Sequence, residues 1–132
     1  MKRLIIITSL LLATLLNACT QTTTDNAVQN INAIDLNEKL KSGDELQLLD
    51  VRTPDEWLEG TIARAILINY HSNDFKEKIK ALNKEQPIVV YCATGGRSMK
   101  ASKIIVEAGY QKVYNLDGGI SEWKQKNYPV TK

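Results

Sequence analysis

Apolar residues in this chain recur as short runs of strand length, separated by longer segments of mixed polarity. The runs cover residues 46–51, 65–68, 88–91 and 113–116. Runs of this length, bounded by polar or turn residues, are typical of buried strands. The run at 88–91 reads Ile-Val-Val-Tyr and is apolar throughout, which predicts a central strand covered on both faces.

The segments between these runs carry helix signals. Apolar residues within 34–40 precede Gly43, which favours a helix that ends at this glycine. Residues 53–56 read Thr-Pro-Asp-Glu, a capping box with proline at the first helical position, and predict a short helix that ends by Gly60. Residues 75–82 place apolar side chains on one helical face.

A further helix is predicted to begin with Ser98 as its N-cap and to end at Gly109. Strands that alternate with helices form a parallel sheet, so the fold class predicted is α/β, a single domain with a parallel sheet flanked by helices on both faces. Ligands of such sheets bind at the carboxyl ends of the strands.

The first 18 residues differ from the rest of the chain. Lys2 and Arg3 precede a mainly apolar stretch at 4–16, and Ala18 stands directly before Cys19. This order predicts a secretory signal peptide over residues 1–18. The apolar stretch is about 13 residues long, shorter than the roughly 20 that a membrane-spanning helix needs.

The segment Leu16-Asn17-Ala18-Cys19 resembles the bacterial lipoprotein signal. The resemblance implies that Cys19 is acylated and becomes the mature N-terminus, whereas the alternative is an ordinary cleaved signal with Cys19 as a free thiol. With lipidation, the protein is exported and anchored to a bacterial membrane, facing the periplasm or the cell exterior.

Residues 20–32 are rich in Thr, Gln, Asn and Asp and carry little apolar surface. Such a segment cannot bury enough area to order itself, so residues 19–32 are predicted to be the lipidated cysteine and a flexible tether. The folded domain is then predicted to span residues 33–132.

Charge and residue counts narrow the function further. The chain holds 17 Lys and Arg against 15 Asp and Glu, and the excess lies in Lys2 and Arg3 of the leader. A neutral domain offers little attraction to phosphates, so we exclude nucleic acid as a partner. Two cysteines and one histidine cannot build a zinc cage, and we predict no metal site. Any cysteine chemistry must use a single thiol.

The candidate chemistry lies directly after the run at 88–91, in the segment Cys92-Ala93-Thr94-Gly95-Gly96-Arg97-Ser98, here called the Cys92 loop. Gly95 and Gly96 allow successive backbone N–H groups to point inward as an anion-binding nest, to which the following helix adds its positive end. This setting lowers the pKa of Cys92 and makes it a nucleophile without a histidine base.

The Cys92 loop resembles the active-site loop of the rhodanese family of sulfurtransferases. Flanking segments carry the same resemblance: Asp50-Val51-Arg52 and Glu56-Trp57 upstream, and Asn115-Leu116-Asp117-Gly118-Gly119-Ile120 with Trp123 and Pro129 downstream. Three ordered motifs over about 80 residues are a far stronger signal than any one of them.

The resemblance implies a rhodanese fold and a sulfurtransferase that moves a sulfane sulfur through a persulfide on Cys92. Expected partners are a small donor such as thiosulfate, or a protein persulfide, and an acceptor such as cyanide or a thiol. No cofactor beyond the transferred sulfur is expected. The implied site is Cys92 as nucleophile with substrate-binding residues Ala93, Thr94, Gly95, Gly96, Arg97 and Ser98.

Two other functions compete with this one. A non-catalytic persulfide carrier or docking module would use the same loop to present sulfur to a partner. Phosphatase or arsenate reductase chemistry is disfavoured, because four residues lie between Cys92 and Arg97. The fold-related families with that chemistry have one more residue there, which widens the nest for a tetrahedral anion.

Other side chains keep more than one interpretation. Arg97 either contacts substrate or braces the loop against an acid, and Asp50 and Arg52 are more simply structural. The family's usual Gly-His-Ile-Pro-Gly-Ala is replaced by Gly60-Thr61-Ile62-Ala63-Arg64-Ala65, which alters the expected backbone path. Arg64 is therefore a candidate for extra positive charge toward an anionic donor.

Overall fold

The computed structural model of the chain describes residues 27–132. The predicted signal peptide at 1–18 and the predicted lipid acceptor Cys19 lie outside the described residues. Across residues 27–132 no helix is both long and apolar enough to cross a bilayer.

A parallel sheet of five strands organises the described part of the chain. In chain order the strands are β1 (Val28–Ile31), β2 (Gln47–Asp50), β3 (Ile66–Leu67), β4 (Ile88–Tyr91) and β5 (Val113–Leu116). Their order across the sheet is β1-β5-β4-β2-β3, with every pairing parallel. The predicted parallel α/β fold is thereby confirmed, and so is the central position of β4.

Helices connect the strands and cover the sheet. In chain order they are α1 (Ala33–Ser42), α2 (Pro54–Trp57), α3 (Phe75–Lys80), α4 (Gly96–Glu107) and α5 (Gly119–Gln125). α1 stops at Gly43, whose φ of +80° gives the left-handed turn expected there. The capping box at Thr53 and Glu56 forms as predicted, with Pro54 in the first turn of α2.

The core is divided between the two faces of the sheet, because successive residues of each strand point to opposite sides. On one face, Ile88 and Val90 pack with residues of α3 and α4. On the other, Val89 and Tyr91 pack with residues of α1 and α5. All four β4 side chains are buried, so this strand fixes the residue that follows it, Cys92.

The predicted tether needs a correction at its C-terminal end. Residues 28–31 do not continue the tether but form β1, which pairs in register with Val113–Leu116. Val28 and Ile31 are buried while the two residues between them are exposed. β1 is an edge strand that gains its order from its neighbour β5, and its composition alone carries no such signal. The folded domain therefore begins before residue 33.

Candidate active site

Cys92 follows β4 directly, at the carboxyl edge of the sheet, and its side chain is only 2% exposed. The chain then turns so tightly that α4 begins at Gly96. Gly95 makes this turn with a φ of +103°, a conformation that favours glycine over residues with a side chain. Cys92 is thus held at the place where parallel sheets bind their ligands.

Hydrogen-bond donors surround the Cys92 sulfur. The backbone N–H of Gly95 donates to Sγ at 3.2 Å, and the Ser98 hydroxyl lies 3.4 Å from the same atom. Burial raises the pKa of the thiol, but hydrogen bonds from the Ser98 hydroxyl and from the backbone of Ser98, Gly95 and Thr94 outweigh it. The net pKa of Cys92 lies below its ordinary value, which favours the nucleophilic thiolate.

The loop is held from behind by the start of α5. The N–H groups of Ile120 and Ser121 donate to the carbonyls of Cys92 and Ala93 at 2.9 and 3.0 Å. Gly119 permits this contact, because a Cβ there would stand 2.5 Å from both carbonyl oxygens. These hydrogen bonds hold the backbone of Cys92 and Ala93 against α5.

Arg97 lies on the other side of the loop, where it forms a two-pronged ion pair with Glu56. Its Nη1 and Nη2 donate to the two carboxylate oxygens at 2.8 and 2.6 Å. The Arg97 hydrogen bonds lower the pKa of Glu56 to about 2. Burial raises this pKa, whereas hydrogen bonds from Thr53 lower it further. The Glu56 hydrogen bonds raise the pKa of Arg97, and its interaction with Cys92 adds to this, so Arg97 braces the loop while it also faces the thiol.

Asp50 and Arg52 form a second ion pair behind the first. Their side chains are 0% and 2% exposed, with Nη2 of Arg52 2.7 Å from Oδ2 of Asp50. Arg52 also donates to the carbonyls of Glu56 and Gly60 at 3.2 and 2.8 Å. The pair therefore fixes the segment that presents Glu56 to Arg97, which agrees with the structural role expected for both residues.

Ser98 requires a correction, because it does not cap a helix. The N-cap of α4 is Gly95, and Ser98 lies inside the first turn with 0% exposure. Its hydroxyl reaches Asn115 Oδ1 at 2.6 Å and the Gly95 carbonyl at 3.1 Å, in addition to Cys92. The tight turn at Gly95 starts the helix earlier than the serine pattern suggested, and this buries Ser98 beside the thiol.

Hydrogen bonds between uncharged side chains continue from Ser98 across two strands of the sheet. The side-chain nitrogen of Asn115 donates to Asn30 Oδ1 at 3.1 Å. These two residues are direct cross-strand partners on β5 and β1. Neither asparagine was predicted from the sequence to contribute to the site. The sequence signal for Asn115 is a polar residue within the otherwise apolar run at 113–116, and the structure shows this residue only 2% exposed.

The other predicted site residues fall into two groups. Ala93, Thr94 and Gly96 lie in the Cys92 loop, as their sequence positions require. Arg64, by contrast, lines a cavity of about 400 Å³ with residues of α1 and α5, and no residue of the Cys92 loop lines it. Arg64 also has a φ of +65°, in the position where the family pattern has glycine. Thr61 forms an isolated bridge with Thr131.

Any histidine or metal-binding cluster within residues 27–132 is a further candidate for activating the thiol. His71 is exposed in the turn after Asn69 and packs its ring edge to face with Tyr70. Among residues 27–132 no three His, Cys, Asp or Glu side chains are grouped to hold a metal ion. In the described part of the chain, hydrogen bonds from Ser98 and from loop N–H groups oppose the effect of burial and lower the pKa of Cys92, and Arg97 also interacts with the thiol.

Comparison with known proteins gives a consistent result. The family model for the rhodanese-like domain matches residues 32–126. A sulfurtransferase from Allochromatium vinosum is 31% identical over 78% of this chain and 94% of its own length. Thiosulfate sulfurtransferase 18 from Arabidopsis thaliana is 35% identical over 64% of this chain and 71% of its own length.

Solved structures agree with the sequence comparisons. The crystal structure of a rhodanese-related protein from Thermoplasma volcanium is 37% identical, with a TM-score of 0.68. The similarity covers 78% of this chain and 97% of that protein. The family model at residues 32–126 spans β2 to β5, all five helices and the Cys92 loop.

Proposed function

This chain belongs to the rhodanese-like domain family, and on that premise we propose that it is a sulfurtransferase whose nucleophile is Cys92. Relatives named sulfurtransferases support rhodanese-type sulfur transfer at the level of the family. The observation that carries the proposal for this chain is the buried Cys92 sulfur, which is contacted by the Gly95 N–H and the Ser98 hydroxyl.

The first half-reaction loads sulfur onto the enzyme. The Cys92 thiolate attacks the outer sulfur of thiosulfate, a new S–S bond forms, and the S–S bond of the donor breaks. The electron pair of the broken bond leaves with sulfite, and the negative charge of the enzyme moves to the terminal sulfur of the persulfide. Inward N–H groups of the Cys92 loop stabilise that charge as an oxyanion hole stabilises oxygen.

The second half-reaction discharges the sulfur to an acceptor. Cyanide or a thiolate attacks the terminal sulfur, and the persulfide S–S bond breaks with its electron pair left on Cys92. Thiocyanate or a new persulfide departs, and the thiolate is regenerated for another cycle. The low pKa of Cys92 serves this step as well, because a weakly basic thiolate is a better leaving group.

Arg97 has a limited part in this mechanism. Its guanidinium is paired with Glu56 through both nitrogens, so its charge is largely neutralised within the protein. We propose that it sets the shape of the Cys92 loop, in which Ala93, Thr94, Gly95 and Gly96 contact the transferred sulfur and Ser98 contacts Cys92 Sγ. Loop rigidity then accounts for selectivity toward a single sulfur atom.

We propose in addition that the mature protein is exported and anchored to a bacterial membrane through an acylated Cys19. The support is the sequence of residues 1–19, with its charged start, apolar stretch and small residue before cysteine. Fractionation of cells that express the full chain tests this. Release of the protein into the soluble fraction by Cys19→Ser is expected, and an unchanged membrane fraction would contradict it.

Turnover tests the enzymatic claim against the carrier alternative. We expect continuous thiocyanate formation from thiosulfate and cyanide, and its loss in a folded Cys92→Ser variant. His71→Gln is a matched control, because His71 is exposed and lies outside the Cys92 loop. One sulfur accepted per chain with no turnover would support a persulfide carrier in place of an enzyme. Activity on an aryl phosphate would revive the phosphatase hypothesis.

A further inference from the structure

The Ser98 hydroxyl has one proton and three acceptors within reach. Asn115 Oδ1 is nearest at 2.6 Å, followed by the Gly95 carbonyl at 3.1 Å and Cys92 Sγ at 3.4 Å. A serine hydroxyl donates a single hydrogen bond at a time, and its proton turns about the C–O bond without moving a heavy atom. The acceptor that receives the proton therefore depends on which of the three carries the most negative charge.

The charge on Sγ changes during the proposed reaction. In the persulfide, Sγ is bonded to two atoms and the negative charge lies on the terminal sulfur. When the acceptor takes that sulfur, the electron pair of the S–S bond remains on Sγ. Cys92 is 2% exposed, so the new charge must be stabilised by protein donors. A hydrogen bond to a charged acceptor is about twice as strong as one between neutral groups.

Asn115 is built to accept the hydroxyl when Sγ is not charged. Its amide nitrogen donates to Asn30 Oδ1 at 3.1 Å, which orients its own Oδ1 toward Ser98. Asn115 is 2% exposed and its amide group is fixed by this cross-strand contact. The proton thus has a good acceptor during the persulfide stage and a better one when the thiolate appears.

We propose that the Ser98 hydroxyl is a two-position donor, paired with Asn115 in the persulfide and with Cys92 Sγ in the thiolate, and that it accelerates sulfur discharge. Ser98 is then a catalytic residue of the second half-reaction, and Asn115 is a positioning residue that acts through it. This inference rests on the proposed function for its discharge step. The donor contact with Cys92 is independent of any sulfur substrate.

Ser98→Ala and Ser102→Ala form a matched pair of variants. Both remove one fully buried hydroxyl from α4, and Ser102 lies one turn beyond Ser98. The Ser102 hydroxyl has no hydrogen-bond partner among the described residues. A general loss of packing would affect both variants, whereas loss of the donor to Sγ would affect only Ser98→Ala.

Single-turnover kinetics of the full chain separate the two half-reactions. Each protein is loaded with thiosulfate, freed of donor and mixed with cyanide. We expect discharge by Ser98→Ala to slow by about threefold or more, because the leaving thiolate becomes more basic. Loading measured at a pH where both proteins are thiolates should not slow, and Ser102→Ala should match the wild type. Equal slowing of both half-reactions, or unchanged discharge, would overturn the proposal.

A second readout needs no sulfur donor. The rate of alkylation at Cys92 is followed against pH by peptide mass, and we expect its midpoint to rise in Ser98→Ala and to stay in Ser102→Ala. Asn115→Ala removes the competing acceptor, so its midpoint should fall. A rise in Asn115→Ala, or no shift in Ser98→Ala, would overturn the two-position account. This arm decides the role of the hydroxyl even where thiosulfate loads no sulfur and the proposed function fails.

Discussion

The two sides of the Cys92 loop differ in the side chains that support them: ion pairs on one side, and uncharged hydroxyl and amide groups on the other. On the charged side, Glu56 pairs with Arg97, and Asp50 with Arg52 holds the segment that carries Glu56. On the neutral side, a hydroxyl and two amides run from Ser98 through Asn115 to Asn30. Ser98 and the Gly95 N–H donate to Sγ, and Arg97 of the charged side also interacts with Cys92, by charge and by a side-chain hydrogen bond.

This difference indicates that one side mainly holds the shape of the loop and the other mainly sets the reactivity of Cys92. Each cation on the charged side is paired with a carboxylate, so the main contribution of this side is rigidity, to which Arg97 adds a weaker attraction to Cys92. The neutral side and the backbone supply dipoles that favour the thiolate, as the Ser98, Gly95 and Thr94 hydrogen bonds that lower the Cys92 pKa indicate. We therefore expect the charged side to govern stability and the neutral side to govern the thiol.

The largest effect is expected at the buried ion pair. Asp50→Asn leaves the Arg52 guanidinium buried without its counter-ion, and we expect the free energy of unfolding to fall by about 3–5 kcal/mol. Urea denaturation measures this, with Asp44→Asn as control because Asp44 pairs with Lys39 at an exposed site. If Asp50→Asn lowered the free energy of unfolding no more than the control does, the charged side would not govern stability.

A smaller effect is expected at the pair nearer the loop. Glu56→Gln keeps a hydrogen-bond acceptor but removes the charge opposite Arg97, and both side chains are about a quarter exposed, at 29% and 27%. We expect a loss of about 1–2 kcal/mol in the same denaturation experiment. Glu59→Gln is the control, since Glu59 is exposed on the surface after α2. Equal stabilities of the two variants would contradict this assignment.

The pH dependence of the Glu56 contribution has a definite sign. Its pKa is lowered from 4.5 to about 2 in the folded protein, first by the Arg97 hydrogen bonds. A depressed carboxyl pKa stabilises the fold above the unfolded value and loses this contribution as the pH falls through the folded value. The stability gap between wild type and Glu56→Gln should be constant above pH 4.5 and shrink toward pH 2. A gap that stays constant over that range would show that the charge is not involved.

The smallest effect is expected at a position outside both sides. Arg64 has a φ of +65°, which costs a residue with a side chain about 1–2 kcal/mol, while glycine costs about 0.5–1 kcal/mol in the unfolded chain. Arg64→Gly should therefore raise the free energy of unfolding by about 0.5–1 kcal/mol and leave sulfur transfer unchanged. A loss of activity toward thiosulfate would restore Arg64 as a contact for the donor.

The charged side was accessible to sequence reasoning, and the neutral side largely was not. The Thr53–Glu56 spacing and the Asp50-Val51-Arg52 motif point to local structure, and an acid partner for Arg97 was one of two roles expected for it. Which acid it meets depends on a contact across 41 positions, which no local pattern encodes. The Cys92 loop itself was evident because strand, thiol and glycines are consecutive.

The neutral side depends on two features that local patterns misrepresent. Ser98 resembles an N-cap, but Gly95 starts the helix earlier because its positive φ closes the turn within the loop. Asn30 lies in a polar segment with only two buried residues, whose strand exists because β5 is beside it. The local turn at Gly95 decided the first case and strand pairing the second, so sequence patterns could not reveal the hydrogen bonds from Ser98 to Asn30.

The measurement that tests the central claim most directly is the intact mass of the protein before and after thiosulfate, with folded Cys92→Ser as control. We expect a gain of one sulfur, about 32 Da, that cyanide or a reducing thiol removes and that the variant never shows. A folded wild-type protein that gains no mass, or a Cys92→Ser variant that gains the same mass, would contradict sulfur transfer from thiosulfate through Cys92.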